Sequence, residues 1–182
     1  MHQTEEAEIP SQQDDLWVFG YGSLMWRPGF EFIEKHIAQL ENFHRSFCIL
    51  SHVHRGTPEK PGLVLGLDHG GSCTGIAYKV KAQNRTETIA YLREREQVTS
   101  VYLERWLPAR LASGEEVKVL AYIVDRDHKQ YSGTLSNTEK LTFIKQGNGI
   151  SGPNSEYVRS TYEHLRQIDI EDHDLAQLVA DL

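Results

Sequence analysis

The spacing of hydrophobic residues changes along the chain, from short apolar runs in the first half to helical spacing in the second. Runs rich in β-branched, aromatic and aliphatic residues, bounded by Gly, Pro or Asp, predict strands. These strands are expected at about 16–21, 43–51, 62–67, 73–81 and 117–125. Apolar positions at helical spacing predict helices at about 85–96, 99–107, 138–147, 154–168 and 172–181. Strands followed by helices indicate an α+β fold rather than alternating βαβ units.

The boundaries of the fold are also suggested by local signals. The segment at 117–125 is apolar on both faces, which is typical of a central strand or a barrel wall. Ser136 followed by Glu139 predicts a helix start, and Gly147 predicts the end of that helix. We expect a single domain over residues 15–182, after an acidic, polar and disordered tail over residues 1–14.

Composition and charge limit the classes of partner. The formal net charge of -7 disfavours nucleic acid and anionic membranes, since both bind basic surfaces. The start of the sequence lacks the basic and apolar regions of a signal peptide, and no apolar run is long enough to span a bilayer. These features predict a cytoplasmic protein. Cys48 and Cys73 lie in predicted strands and are expected to be buried free thiols. The oligomeric state is not readable from the sequence.

The stretch WVFGYGSLMWRPGF, residues 17–30, interrupts an apolar strand with a glycine-rich turn. Gly20 and Gly22 permit unusual backbone angles and close approach of a ligand, and consecutive N–H groups there can hold an anion or a carbonyl oxygen. A strand-end turn with aromatic packing is the alternative. The stretch lacks the third glycine of a dinucleotide fingerprint and the Gly-Lys-Ser/Thr of a P-loop. If the turn binds a ligand, we therefore expect an oxygen other than that of a nucleotide phosphate.

The predicted helix NRTETIAYLREREQ carries a carboxylate on its apolar stripe. At 100° per residue, Glu96 falls on the side of Ile89 and Leu92, whereas Glu94 points nearly the opposite way. Burial raises the pKa of a carboxyl group and suits it to general acid–base catalysis. The alternatives are a structural ion pair with an arginine such as Arg55 or Arg105, or a frayed helix end in water.

Two further segments carry candidate binding residues. In HVHRGTPEKPG, His52 and His54 share one strand face, but no third ligand follows, so no metal site is predicted. Arg55 in the same loop is expected to line a pocket near a carboxylate. Tyr157, in GISGPNSEYVRST, lies in the first turn of a predicted helix and can either hydrogen-bond a ligand or pack as a structural residue.

Four segments in this order, WVFGYGSLMWRPGF, HRGTPEKPGLVLGLDHGGSCTGIAYKV, YLREREQVTSVYLERW and SGPNSEY, together resemble the ChaC family of γ-glutamylcyclotransferases. The resemblance implies a small, partly open β-barrel of about five to six strands with surrounding helices. It implies cyclisation of a γ-glutamyl peptide, usually glutathione, to 5-oxoproline with release of Cys-Gly and without a metal or other cofactor. It further implies that Glu96 is the catalytic acid–base. The substrate-binding loop that it implies consists of Gly20, Tyr21, Gly22, Ser23, Leu24 and Met25.

One departure from the family pattern leaves substrate selectivity open. Many members have a glycine pair and then tyrosine after the catalytic glutamate, where this chain has REQVTSVY, with Tyr102 two places later. The same fold acting on another γ-glutamyl amine or amino acid is therefore one alternative. A non-catalytic regulator of cation transport is the other, although such a protein has no need of an inward-facing Glu96.

Overall fold

The computed structural model describes residues 9–97 and 100–182. The tail predicted to be disordered lies outside the described residues over positions 1–8. In the described part of this tail, the backbone carbonyls of Pro10 and Asp14 each accept a hydrogen bond of 3.3 Å from the buried side chain of Arg85. Disorder of the tail stays a prediction.

The described residues form strands first and helices mainly later, as the hydrophobic pattern indicates. The strands are β1 (Leu16–Gly20), β2 (Glu34–Ser51), β3 (Gly62–Val80), β4 (Tyr102–Leu111), β5 (Glu116–Val124), β6 (Asn148–Gly149) and β7 (Gly152–Pro153). The α-helices are α1 (Arg85–Glu96), α2 (Asn137–Gln146), α3 (Asn154–Gln167) and α4 (His173–Ala180). Short 3-10 turns occupy Ser23–Met25 and Ala82–Asn84.

The five long strands close into a barrel in the order β1-β3-β2-β4-β5. Strand β1 pairs antiparallel with β3, where Val18 lies opposite Tyr78, and parallel with β5, where Val18 lies opposite Leu120. The predicted α+β barrel is confirmed, although it is closed rather than partly open. The barrel is closed, because the parallel β1–β5 pair joins the two strands that would otherwise be unpaired edges.

Two strands are longer than the sequence predicted. Strand β2 begins at Glu34 rather than near residue 43, and β3 runs unbroken where two strands, at 62–67 and 73–81, were expected. The apparent break is the polar segment around Gly70 and Gly71, whose φ angles are 99° and 67°. These positive-φ glycines lie in an exposed stretch, and the strand continues through it.

The predicted helix at 99–107 is wrong, because the chain forms β4 from Tyr102 onward, and residue 99 lies outside the described residues. Tyr102 and Trp106 both pack against a cluster of buried hydrophobic residues. Glu104, between them, accepts a hydrogen bond from the hydroxyl of the buried Tyr122. This period of two is the strand pattern, and barrel pairing stabilises it over helical spacing. The other helices agree closely with prediction, including the reciprocal cap between Ser136 and Glu139.

The described residues fall into two compact units. The first lies within Met1–Arg45 and Leu67–Ile123, and the second within Ser46–Gly66 and Val124–Leu182. The core cluster of the first unit consists of Leu16, Val18, Leu24, Val80, Leu92, Leu120 and Tyr122. The expectation of a single domain stays a prediction.

In the second unit, the fully buried Asn154 at the start of α3 bonds both backbone groups of Leu63, each at 2.8 Å. Cys48 and Cys73 are buried, and neither is part of a disulfide among the described residues, as expected. Across the described residues, no helix has the length and apolar character needed to cross a membrane.

Candidate active site

The glycine turn after β1 leaves little room for a side chain at its first position. A Cβ on Gly20 would lie 3.0 Å from the Cβ of Leu24, closer than side chains pack without displacement. The amide of Met25 donates to the carbonyl of Gly22 at 2.9 Å and forms the 3-10 turn. The turn places Leu24 in the buried core cluster.

Two buried side chains hold the carbonyl groups of this turn. Arg45, 8% exposed, donates from Nε to the Tyr21 carbonyl at 2.6 Å and from Nη2 to the Thr74 carbonyl at 2.7 Å. The Tyr78 hydroxyl lies 2.9 Å from the carbonyl oxygens of both Leu24 and Met25 and donates to them. Burial raises the pKa of Tyr78 to about 12, so the hydroxyl remains a donor at neutral pH.

Fixing the carbonyl groups also fixes the direction of the N–H groups. The peptide bonds of the described residues are trans, and in a trans peptide the C=O and N–H point in opposite directions. The N–H of Gly22 therefore points away from Arg45. The first N–H groups of a helical turn have no partner within it, so those at the start of Ser23–Met25 are suited to donate hydrogen bonds to an oxygen of a ligand.

Glu96 is the last residue of α1, and its side chain is only 17% exposed, whereas Glu94 is exposed. Leu92, one turn earlier, is fully buried in the core cluster, and Ile89 packs against that cluster. The difference between the two acids agrees with the helical-stripe prediction. Burial raises the pKa of Glu96, and the positive charge of Arg95 opposes that rise.

Arg95 connects Glu96 to the glycine turn. Its Nη2 donates to the Ser23 hydroxyl at 2.8 Å, and its Nε lies 3.5 Å from Oε1 of Glu96. One guanidinium group thus contacts both the candidate acid–base and the candidate substrate loop. Local sequence patterns give no signal for this contact, because Arg95 and Ser23 are 72 positions apart.

A second polar network lies near Glu96. Glu104 on β4 accepts two hydrogen bonds from Arg93, at 3.0 and 2.9 Å, and one from the Tyr122 hydroxyl at 2.9 Å. The bonds from Arg93 lower the pKa of Glu104, while burial and then the bond to Glu104 raise the pKa of Tyr122. The charge of Glu96 contributes to the rise at Tyr122, which places the two side chains in electrostatic reach.

Sequence reasoning missed this second network because it assigned Glu104 to a helix. The signal that could have found it is the alternation of Tyr102, Glu104 and Trp106, which is a strand period.

Arg55 and Tyr157 belong to the second unit, where they contact each other. The guanidinium carbon of Arg55 lies 5.4 Å from the centre of the Tyr157 ring, and Nη1 donates to the Pro153 carbonyl at 3.2 Å. The Tyr157 oxygen accepts the Leu65 N–H at 3.2 Å. Their predicted contact with substrate stays a prediction. Over residues 9–97 and 100–182, no three His, Cys, Asp or Glu side chains converge as a metal site.

The fold matches a solved structure described as a gamma-glutamyl cyclotransferase specific to glutathione from yeast. The TM-score is 0.80 at 24% identity, over 91% of this chain and 94% of that one. This similarity shows that the chain has the γ-glutamylcyclotransferase fold.

Sequence comparisons then identify the family. The profile of the family described as "ChaC-like protein" matches residues 16–182. The glutathione-specific gamma-glutamylcyclotransferase of Escherichia coli (strain K12) is 34% identical over 164 residues, which cover 90% of this chain and 71% of that protein. Glutathione-specific gamma-glutamylcyclotransferase 1 of Danio rerio is 33% identical over 181 residues, covering 96% of this chain and 92% of that protein. The chain belongs to the ChaC-like family.

Proposed function

We propose that this protein is a lyase that cleaves glutathione to 5-oxoproline and Cys-Gly, with Glu96 as the general acid–base. The observation that carries the proposal is the mostly buried carboxylate of Glu96, linked by Arg95 to Ser23 in the glycine turn. Relatives over most of the chain carry the name glutathione-specific gamma-glutamylcyclotransferase, which supports glutathione as the substrate. The same proposal includes a cytoplasmic location. It also includes a small-molecule substrate as the partner, rather than a membrane or nucleic acid.

In the proposed reaction, the substrate attacks itself. The α-amine nitrogen of the γ-glutamyl group forms a bond to the γ-carbonyl carbon, and the amide bond to the cysteinyl nitrogen breaks. Both reacting groups belong to one molecule, so the main task of the site is to hold it in ring-closing geometry. The products contain every atom of the substrate, and no water is consumed.

Glu96 moves the one proton that the reaction transfers. Its carboxylate removes a proton from the amine as the amine attacks and then gives that proton to the departing cysteinyl nitrogen. A pKa raised by burial favours this role, because such a carboxylate accepts a proton more readily than one in water.

The glycine turn stabilises the oxygen on which negative charge develops. The N–H groups at the start of the turn, including that of Gly22, are the proposed donors. In known acyl-transfer sites one such donor stabilises the transition state by about 2.7–4 kcal/mol. Arg45 and Tyr78 hold the peptide groups in place from the buried side, so the donors need no reorganisation during the reaction.

The test compares two neighbouring acids of one helix. Glu96→Gln keeps the shape of the side chain but cannot carry the proton, and we expect near-total loss of 5-oxoproline release with the fold retained. Glu94→Gln is the matched control and should change activity little, since Glu94 is exposed. Activity lost in Glu94→Gln and kept in Glu96→Gln would contradict the assignment.

The substrate is tested by assaying glutathione beside γ-glutamyl-alanine. Faster turnover of glutathione is expected. Preference for γ-glutamyl-alanine would assign the same chemistry to a different γ-glutamyl compound, and binding of glutathione without turnover would favour a regulatory protein.

A further inference from the structure

We propose that Arg95 is a positioning residue that holds the Glu96 carboxylate in register with Ser23 of the glycine turn; this inference rests on the proposed function. The guanidinium touches both groups, at 3.5 Å from Glu96 Oε1 and 2.8 Å from Ser23 Oγ. Because the guanidinium of Arg95 is planar and rigid, movement of Glu96 or of Ser23 changes the contact of Arg95 with the other residue.

The backbone after the turn holds the guanidinium in place. Its Nη1 donates to the carbonyl oxygen of Arg27 at 2.6 Å and lies 3.2 Å from that of Pro28. The same nitrogen lies 3.2 Å from the Tyr91 hydroxyl, one helical turn earlier on α1. The side chain of Arg95 is only 20% exposed, so these contacts are screened less than those of a surface arginine. Arg95 therefore joins the end of α1 to the segment that follows the glycine turn.

The charges around Glu96 leave Arg95 as its counterion. Tyr122 from β5 lies in electrostatic reach of Glu96, and it donates its hydroxyl proton to Glu104 from β4. Arg93 already makes two hydrogen bonds to the Glu104 carboxylate. Of the two arginines that flank Glu94, it is thus Arg95 whose charge is directed to Glu96.

A lysine at this position separates geometry from charge. Lysine carries the positive charge but only as a point donor, whereas arginine offers a planar fork that reaches several oxygens together. Arg95→Lys should therefore keep the electrostatic effect on Glu96 and lose the alignment with Ser23. Arg95→Met should lose both.

The first experiment measures the pH dependence of 5-oxoproline release in wild type, Arg95→Met, Arg95→Lys and Arg110→Met. Glu96 must be deprotonated to accept a proton, and loss of a neighbouring cation raises its pKa. We therefore expect the acidic limb of kcat/KM to move to higher pH in Arg95→Met and to stay in place in Arg95→Lys. Both variants should lose kcat, by up to about 100-fold, because the carboxylate is displaced. Arg110→Met, on an exposed residue of β4, should match wild type.

The second experiment measures the titration of the Glu96 carboxyl group in the absence of substrate. Proteins labelled with ¹³C at the glutamate carboxyl carbon are titrated by NMR, and Glu96→Gln identifies the Glu96 signal. The Glu96 titration should move to higher pH in Arg95→Met and remain in Arg95→Lys. Wild-type kcat and an unchanged Glu96 titration in Arg95→Met would overturn the proposal. A wild-type protein that releases no 5-oxoproline would instead contradict the proposed function, and the NMR titration would then decide the role of Arg95 by itself.

Discussion

The buried guanidinium of Arg45 donates a 2.6 Å hydrogen bond to the carbonyl oxygen of Tyr21, at the point where β1 ends and the glycine turn begins. The peptide that carries this carbonyl also carries the N–H of Gly22. A buried side chain from β2 therefore sets the direction of a proposed oxyanion donor.

Replacing Arg45 should impair both stability and catalysis. Arg45→Met removes the hydrogen bonds to the buried carbonyl of Tyr21 and the partly buried carbonyl of Thr74, and loss of the partner of a buried polar group costs about 1–3 kcal/mol. We expect a lower free energy of unfolding in chemical denaturation and a lower kcat for 5-oxoproline release at temperatures where the protein remains folded. The exposed Arg110→Met serves as control. Full wild-type kcat in Arg45→Met would show that the turn keeps its geometry without this bond.

Neutralising Glu96 should stabilise the folded protein near neutral pH. Burial raises the pKa of Glu96 above its ordinary value of 4.5, so the stability it provides is fully present below that value and is lost as pH rises through the folded-state pKa. Glu96→Gln removes this pH-dependent loss. Thermal unfolding should therefore give a higher Tm for Glu96→Gln than for wild type at pH 7, with the gap closing below pH about 4. A lower Tm at pH 7 would mean that ionised Glu96 contributes net stability.

Glu104 should show the opposite dependence on pH. Hydrogen bonds from Arg93 lower its pKa, so its contribution to stability is present above the unfolded-state pKa and is lost as pH falls through the folded-state pKa. Glu104→Gln should lower the Tm at neutral pH and have a shrinking effect in acid. Removal of one partner by Tyr122→Phe should cost about 1 kcal/mol. Equal effects of Glu104→Gln at neutral and acid pH would contradict an ionic role for this carboxylate.

Asn154 should be important for stability rather than chemistry. Its amide bonds the N–H and the carbonyl of Leu63, and the side chain is fully buried. Asn154→Ala leaves both backbone groups unsatisfied, and we expect a loss of at least about 2 kcal/mol in denaturant unfolding. The exposed Asn137→Ala should stay close to wild type. If Asn154→Ala unfolds like wild type, the two hydrogen bonds between Asn154 and Leu63 do not stabilise the fold.

Local periodicity predicted the parts of the protein that depend on near neighbours in sequence. The bounds of α1, and the exposure of Glu94 against the burial of Glu96, follow from a repeat of 3.6 residues that a helix imposes wherever it packs. The cap of α2 at Ser136 likewise involves residues only three apart. The α+β class and the barrel were also accessible, from the order of apolar segments and from family resemblance.

Distant pairing decided the rest. The sequence of β4 is compatible with both a helix and a strand. Pairing with β2 and β5 in the closed barrel stabilises the strand. The contacts proposed to orient the site, Arg45 to Tyr21 and Arg95 to Ser23, join residues 24 and 72 positions apart. Such contacts depend on strand register and barrel closure, which hydrophobic periodicity does not encode. The sequence by itself therefore determined which carboxylate is buried, and the tertiary structure decided which side chain connects it to the glycine turn.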